Sequence, residues 1–462
     1  MFKDQENFYN LLYDSLGSEQ VSRDLDILET YSRDETSDLN GLADILVRAR
    51  DTSDVSKVLK LCNEHRIPVI PRGAGTGVTG GAVPIQGGLV LSLEKMNRII
   101  EIDPHNMTAT VEPGAITGDI QRKAREWGLM YPPDPASLDS CSIGGNVAEG
   151  AGGPRAVKYG TTKDYIIGLE FVLPDGSIIQ TGGKFVKNAT GYNLIGILIG
   201  SEGTLAVVTK IVLKLIPLPP HSIDLLIPFP TLDNAIDAVY TITSSRIIPA
   251  AIEFMEEDAI RLVAGFLGED MPFPSAGAHL LIQIDGNTED AISHTLNTIT
   301  TLPGIDQDSV FVAETESQRN RIWKARRSIR EAIHHTSPVF LAEDCVVPRS
   351  NIPAFLKGLK AIFNREGLSS VMFGHAGDGN VHIDVLKGKR DYTEWKSLLP
   401  GLKALIYQEA LSLGGTITGE HGIGYIRRDY LPLASSPEEI ELLKRIKRAF
   451  DPHMILNPGK IL

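Results

Sequence analysis

Five of the ten residues from Arg72 to Gly81 are glycine, and the tract follows directly on the β-branched run Ile67–Ile70 and Pro71. A strand ending in such a loop can turn several backbone N–H groups toward one anion, and missing side chains let a diphosphate approach the main chain. The loop meets neither common nucleotide motif: it does not open a helix as GxGxxG, and it lacks the lysine of GxxxxGK[ST]. Two further tracts change the reading. Pro132-Pro133-Asp134-Pro135 leads into Ser142-Ile143-Gly144-Gly145-Asn146 and Gly150-Ala151-Gly152-Gly153, and Gly200-Ser201-Glu202-Gly203-Thr204 opens a strand pattern. Together they suggest a long, extended dinucleotide held by backbone groups.

The chain has 462 residues, too many for one compact core. Residues 43–81 read as strand, helix, strand, loop, with Thr52 or Ser53 capping a helix whose face carries Val55, Val58, Leu59 and Cys62. Short strands are expected over 88–93, 98–102 and 108–111, then a helix over 116–127. A hairpin turning at Asp175-Gly176 and a long strand over 204–216 follow. Pro217-Leu218-Pro219-Pro220 punctuates the chain as a domain boundary. Beyond it, strands and helices alternate in a split βαβ pattern: an antiparallel sheet with helices on one face, then a single helix over 318–333 and a last one over 439–450.

A second group of residues carries chemistry. Gly374-His375-Ala376-Gly377-Asp378-Gly379-Asn380-Val381-His382 and Thr418-Gly419-Glu420-His421-Gly422 supply two imidazoles and a carboxylate in glycine-rich settings. His375, His382 and Glu420 can hold a divalent metal and leave a coordination position open. Zinc, manganese and iron(II) all suit that set. Asp378 and Asn380 are assigned to the loop itself, since both residue types accept unusual backbone angles and bond nearby N–H groups.

Hydrophobic content is 42% and charged content 22%, ordinary for a globular protein, and the formal charge of −13 argues against nucleic-acid binding. Cys62, Cys141 and Cys345 form no CxxC pair, so a disulfide framework or an iron–sulfur cluster on this chain is not expected. Residues 1–17 read as an acidic amphipathic helix and not as a signal or transit peptide, and no apolar run reaches membrane-spanning length.

The run Pro68-Val69-Ile70-Pro71-Arg72-Gly73-Ala74-Gly75-Thr76 with Gly80-Gly81 resembles the FAD-pyrophosphate loop of vanillyl-alcohol-oxidase-type flavoproteins. The His-x-Gly-Asp-Gly-Asn-x-His and Gly-Glu-His-Gly motifs are similar to those of its D-2-hydroxyacid dehydrogenase branch. That branch includes D-lactate dehydrogenases, D-2-hydroxyglutarate dehydrogenase and the flavin subunit of glycolate oxidase. The resemblance implies an α+β protein with a FAD-binding domain over 1–216. A substrate (cap) domain over 217–412 carries the metal motif on an antiparallel sheet covered by helices, and a segment over 413–462 returns to the FAD domain.

It also implies roles. Arg72, Gly73, Ala74, Gly75, Thr76, Gly77, Thr79 and Gly80 would wrap the FAD pyrophosphate. Pro133, Asp134, Ser137, Gly144, Gly145, Asn146 and Gly153 would line the isoalloxazine and ribityl side. Glu202, Gly203 and Val208 would flank the adenosine, and Asn457 would touch the flavin. His375, His382 and Glu420 match the metal ligands, His421 the catalytic base, and Arg326 an arginine that grips the substrate carboxylate. His421 could instead serve only to orient Glu420, and Arg330 either shares the face of Arg326 or belongs to a solvated basic stripe.

The chain departs from the family pattern at three points. Thr76 stands where covalent members place a histidine, which implies non-covalent FAD. Ala342 stands where the hydroxyglutarate enzymes place a lysine, and Asp384 where they place an asparagine. Both point from a dicarboxylate toward D-lactate first and glycolate next. The expected reaction is metal-assisted deprotonation of the hydroxyl and hydride transfer to FAD. Electrons then pass to an electron-transfer flavoprotein, an iron–sulfur subunit or a quinone. A cytoplasmic protein, peripheral to the membrane only through a partner, fits this reading, and a homodimer is compatible with it. The rival functions are a metal-dependent hydrolase acting on a nucleotide-type substrate and a D-2-hydroxyglutarate dehydrogenase.

Overall fold

A computed structural model of the chain describes residues 5–268 and 271–462. The N-terminal helix is seen over Gln5–Leu16, and the first four residues of the expected amphipathic segment lie outside the described residues. Two compact units form. One comprises Met1–Ala151, Thr161–Leu218 and Glu420–Leu462, the other Gly152–Gly160 and Pro219–Gly419.

The first unit is built on two sheets. In the smaller, Leu89–Ser92 runs parallel to Ile45–Arg48 on one side and to Val69–Arg72 on the other, and Val21–Ser22 closes one edge antiparallel. The helix Thr52–His65 packs Val55, Val58, Leu59 and Cys62, all fully buried, into the core with Ile45, Val47, Val69 and Leu89. Its cap is Asp51, one residue before the expected position; the carboxylate accepts the Asp54 N–H at 3.0 Å. Val69–Arg72 is therefore the strand from whose end the glycine loop springs. Leu456, from the chain's last turn, pairs in parallel beside Val69.

The second sheet of this unit is antiparallel, in the order Ile99–Asp103, Thr108–Val111, Val207–Lys214, Ile166–Val172, Ile178–Gly182. The strand expected over 204–216 is shorter. Thr204 donates to the Ser201 carbonyl in a turn with Glu202 at φ 51°, and Ile216–Pro217 leaves to pair with Leu129–Met130.

In the second unit seven antiparallel strands lie in the order Phe311–Ala313, His221–Phe229, Ala278–Gly286, Ala251–Glu256, Ser369–His375, Asn380–Leu386, Phe340–Val346. The expected helices on one face are instead helices on both. Leu226, Met255, Leu281, Val371 and Phe373 are buried with side chains of Glu257–Leu267, Glu316–Arg327 and Ile329–Thr336. The alternate set, Leu225, Ile252, Phe254, Leu280, Ile282, Met372 and Ile383, is fully buried as well, and Leu232–Ser244, Ile352–Arg365 and Tyr392–Ser412 pack on those strands. Strands buried on both faces read as continuous apolar runs, and the stretches 225–227 and 280–282 read that way. The helix expected over 318–333 is two helices meeting at Ser328 (ψ 0°), and Ile322, Ala325, Ile329 and Ile333 from the two are buried in one core. Among the described residues no helix is long and apolar enough to cross a membrane.

The C-terminal return is pinned by a buried cation. Lys447 Nζ lies 2.5 Å from Asp451 Oδ2 and donates to the carbonyls of Thr204 (2.6 Å) and Leu456 (2.9 Å). Asp451 also accepts the N–H groups of Ile455 and Leu456. Removing one partner strands the other charge in the interior. Lys447→Ala should therefore lower stability by about 3–5 kcal/mol in denaturant unfolding, whereas Lys444→Ala on the same helix should leave it within about 0.5 kcal/mol.

Candidate metal and cofactor sites

The strands Ser369–His375 and Asn380–Leu386 form a hairpin whose register sets His375 opposite Asn380 and Phe373 opposite His382. Side chains directly opposite, or two apart on one strand, share a sheet face, so His375, Phe373, His382 and Asp384 point the same way. Asp378 and Asn380 serve the turn. Asp378 accepts the Asn380 N–H at 3.1 Å, and Asn380 Nδ2 donates to the Cys345 carbonyl at 3.2 Å.

Both histidines are buried, and their Nε2 atoms face each other at 3.4 Å. His375 Nδ1 lies 2.6 Å from Oε1 of Glu253, a fully buried carboxylate on the neighbouring strand. That bond places the proton on Nδ1 and the lone pair on Nε2, toward His382. Two imidazole nitrogens aimed at one point fit a cation.

Glu420 follows Gly419 by a single peptide bond, and that peptide is held from behind. Asp344, fully buried, accepts the Gly419 N–H at 2.8 Å and the Thr418 hydroxyl at 3.0 Å. The candidate ligand atoms of His375, His382 and Glu420 lie within 4.8 Å of one another. The residues present thus fit a divalent metal. On the other side of Glu420-His421-Gly422, Glu202 accepts the Ile423 and Gly424 N–H groups, each at 2.7 Å. The tripeptide carrying the candidate ligand Glu420 and the half-buried His421 therefore has its flanking backbone held on either side by a carboxylate that takes two donors. Gly422 has no alternative: φ is +84°, and a Cβ there would lie 2.6 Å from Glu149 Oε2 and 2.8 Å from Glu202 Oε1. Burial, with Glu202 nearby, holds the Glu149 carboxyl well above the usual carboxylate range, and burial pushes Glu202 up to about 7 against the pull of its two amides.

Arg326 is buried and pairs through Nη2 with Glu253 Oε2 at 2.6 Å, while its guanidinium lies 4.7 Å from the Phe373 ring centroid. Arg330, on the next helix, does not form a solvated stripe; it lies 3.5 Å from the fully buried Asp384.

In the first unit the glycine loop packs against the start of the helix Ile143–Glu149. A Cβ on Gly73 would lie 2.2 Å from Ser142 Oγ, the hydroxyl that caps this helix at the Gly145 N–H and accepts the Ala74 N–H. A cavity of about 190 Å³ opens there, lined by Gly73, Ala74, Gly114, Ile116 and Ser142 with Glu94, Asn97 and Asp119. Arg72 lies beneath the loop, reaching the Ala82 carbonyl and the Tyr31 ring. Gly75, Thr76 and Gly77 are half-buried along the loop.

Its far end is fixed from the C-terminus. Thr79 O accepts from Tyr425 and Ile426, and Lys460 Nζ donates to the Gly80 and Val83 carbonyls at 2.6 Å each. Burial brings Lys460 down to about 8. Asn457 spends its amide on the carbonyls of Gly81 and Glu202, so it clamps the loop.

Gly144, Gly145 and Asn146 sit in the first turn of the Ser142-capped helix, and Asn146 donates to Thr117 at 2.8 Å. Pro133 is buried and its carbonyl accepts from Gln121, while Asp134 and Ser137 are half-buried. Gly153 belongs to the short segment of the second unit. Gly203 and Val208 are half-buried. Glu202, expected against the adenosine, has both oxygens on backbone amides, because a buried carboxylate must find donors.

Sequence reasoning missed Glu253 and Lys460. A signal existed for the first: Glu253 is the one acidic residue inside the apolar run 250–255, at a position whose alternation predicts burial. For Lys460 there was none, since its partners are backbone carbonyls.

Residues 43–182 match the FAD binding domain family, and residues 218–461 match the C-terminal domain of FAD linked oxidases. The glycolate oxidase subunit GlcD of Bacillus subtilis is 42% identical over 93% of this chain and 91% of its own length. A D-lactate dehydrogenase of Anaerostipes hadrus is 39% identical over 94% of this chain and 93% of its own. A D-2-hydroxyglutarate dehydrogenase of Stutzerimonas stutzeri is 32% identical over 96% of each chain. Among solved structures, p-cresol methylhydroxylase superposes with a TM-score of 0.82 at 20% identity, covering 100% of this chain and 97% of that one. The fold is thus the vanillyl-alcohol-oxidase type that the glycine loop implied.

Gly73→Ala must evict the Ser142 hydroxyl from its cap. The expected result is a loss of about 1 kcal/mol of stability and a clear fall in the flavin-to-protein absorbance ratio, read on purified protein. An undiminished ratio would remove Gly73 from the cofactor loop.

Proposed function

The chain belongs to the FAD-linked oxidases, and from that premise we propose that it oxidises a small D-2-hydroxy acid to the 2-oxo acid, with D-lactate the first substrate and glycolate the next. The observation that carries this reading is the convergence of His375, His382 and Glu420, with Arg326 buried beside His375 through their shared Glu253. A site for a hydroxyl and a site for a carboxylate are what a 2-hydroxy acid needs, and the relatives at 42% and 39% identity are named for glycolate and D-lactate. A second carboxylate on the substrate is disfavoured. Ala342, the register partner of Asp384, offers no cation, and Arg330 already faces Asp384.

FAD, when bound, supplies the two-electron acceptor, and a divalent cation at the three ligands supplies the charge that acidifies a bound hydroxyl. The remaining work belongs to the chain. The Arg326 guanidinium orients the substrate carboxylate by paired N–H donors. His421 accepts the hydroxyl proton on a ring nitrogen. The carbinol hydrogen leaves as hydride, so with the hydroxyl proton the substrate gives up two protons and two electrons in all, the electrons going to FAD. The loop 72–81 and the 142–146 turn hold the cofactor with backbone groups. Residues 1–216 and 413–462 serve as the FAD-binding part and 217–412 as the cap. The electrons would pass to a separate acceptor, an electron-transfer flavoprotein, an iron–sulfur subunit or a quinone, and any membrane association would be peripheral and through that partner.

An anaerobic absorption spectrum tests this directly. Metal-replete protein should be yellow and should bleach on addition of D-lactate but not L-lactate. Yellow protein inert to D-lactate and to glycolate would overturn the substrate assignment. His421→Ala should keep its flavin and lose reduction by substrate by about 10²-fold or more; unimpaired bleaching would remove His421 from the proton transfer.

A further inference from the structure

We propose that Glu253 is a positioning residue that ties the metal-ligand and carboxylate-binding halves of the site into one unit, its two oxygens setting the coordinating nitrogen of His375 and the aim of Arg326 together. This rests on the reading just given, in which a divalent metal and a substrate carboxylate occupy those halves.

Glu253 sits in the strand Ala251–Glu256, opposite Leu281 on one side and His375 on the other, with no solvent exposure. A carboxylate in that position is costly unless both oxygens are paired, and both are. Oε1 lies 2.6 Å from His375 Nδ1, and Oε2 lies 2.6 Å from Arg326 Nη2. The first contact fixes the tautomer and ring angle that aim Nε2 at His382. The second is an ion pair with one arm of the guanidinium, which holds Arg326 beside the site and leaves other donors of its rigid plane for a substrate. Phe373 closes the other side of that guanidinium at 4.7 Å and is itself the register partner of His382. Metal ligands and substrate arginine thus share one carboxylate and one aromatic ring. The charge also matters. A dication and a guanidinium repel, and the carboxylate between them offsets that repulsion.

A purely structural role, such as burying Arg326 without a naked charge, would show in stability and leave metal affinity alone. The test is metal binding by the FAD-loaded protein, stripped with chelator and titrated with Mn²⁺ while free Mn²⁺ is followed by electron paramagnetic resonance. Glu253→Gln keeps the shape and a hydrogen-bond acceptor but loses the charge. It should bind Mn²⁺ about 10- to 100-fold more weakly than wild type, and at saturating Mn²⁺ its KM for D-lactate should rise more than its kcat falls. Should Glu253→Gln fail to fold, Glu253→Asp, with charge kept and reach shortened, is read in the same way.

Mn²⁺ affinity within twofold of wild type in a folded variant overturns the proposal and leaves the metal reading standing. A wild-type protein that takes up no Mn²⁺ or Zn²⁺ overturns the metal reading and Glu253's part with it. A weaker metal site with an unchanged KM overturns the link to Arg326.

Discussion

The register of one hairpin decides whether this chain has a chemical site at all. With His375 opposite Asn380 and Phe373 opposite His382, both imidazoles fall on one face of the sheet. Side chains alternate with a period of two, so a slip by one residue would send His382 into the apolar layer that holds Ile383 and Val381 now. The slip is resisted because both faces are buried: every residue from Asn380 to Val385 is buried, and each face has its own complement to meet. The site is therefore specified by packing on the opposite face of the sheet as much as by its own residues.

Within that frame, placement is done by buried carboxylates that use both oxygens. Glu253 joins His375 to Arg326, Asp344 fixes Thr418 and Gly419, Glu202 fixes Ile423 and Gly424, and Asp451 joins Lys447 to the last turn. For the ion-paired Glu253 and Asp451, leaving the charge without its partner costs about 3–5 kcal/mol, against a total stability of about 5–15 kcal/mol for a typical domain. Each anchor is thus too expensive to loosen by degrees, and the groups it holds keep one geometry. The short tripeptide Glu420-His421-Gly422 gains most, since it has an anchor at each end and a glycine where two carboxylates leave no room for a Cβ.

What was legible beforehand divides along the same line. Motif chemistry was legible because it depends on spacing: His375, His382 and Glu420 could be named from glycine-rich settings alone, and the structure brings their ligand atoms together. Strand positions such as 108–111 followed from period and composition. Long-range partnerships were not legible. Glu253 lies 122 residues from His375, and nothing local says which of many acids a histidine will meet. The second helical layer was missed because Asp224, Glu253 and Gln283 interrupt the apolar runs of these strands, which then resemble the alternation of a one-sided sheet. The break at Ser328 was missed because 318–333 keeps helical spacing across it, and residues from both sides, Ile322 and Ile333, are buried in the same core.

The acidic balance of the chain and an anionic substrate are compatible for a related reason. A net charge of −13 is spread over 462 residues, and at physiological salt its field fades over about 8 Å. A small monocarboxylate, the proposed substrate, would therefore respond to what lies within a few ångströms of its binding position. At the proposed position Arg326 is held by Glu253 and lies over Phe373, with the convergent nitrogens of His375 and His382 alongside. A second carboxylate farther along the substrate would meet the neighbourhood of Asp384, where Arg330 is already engaged. On the proposed function, discrimination between one carboxylate and two would be set by a single buried acid on the same strand face as the candidate metal ligand His382, without any change in the overall charge of the protein.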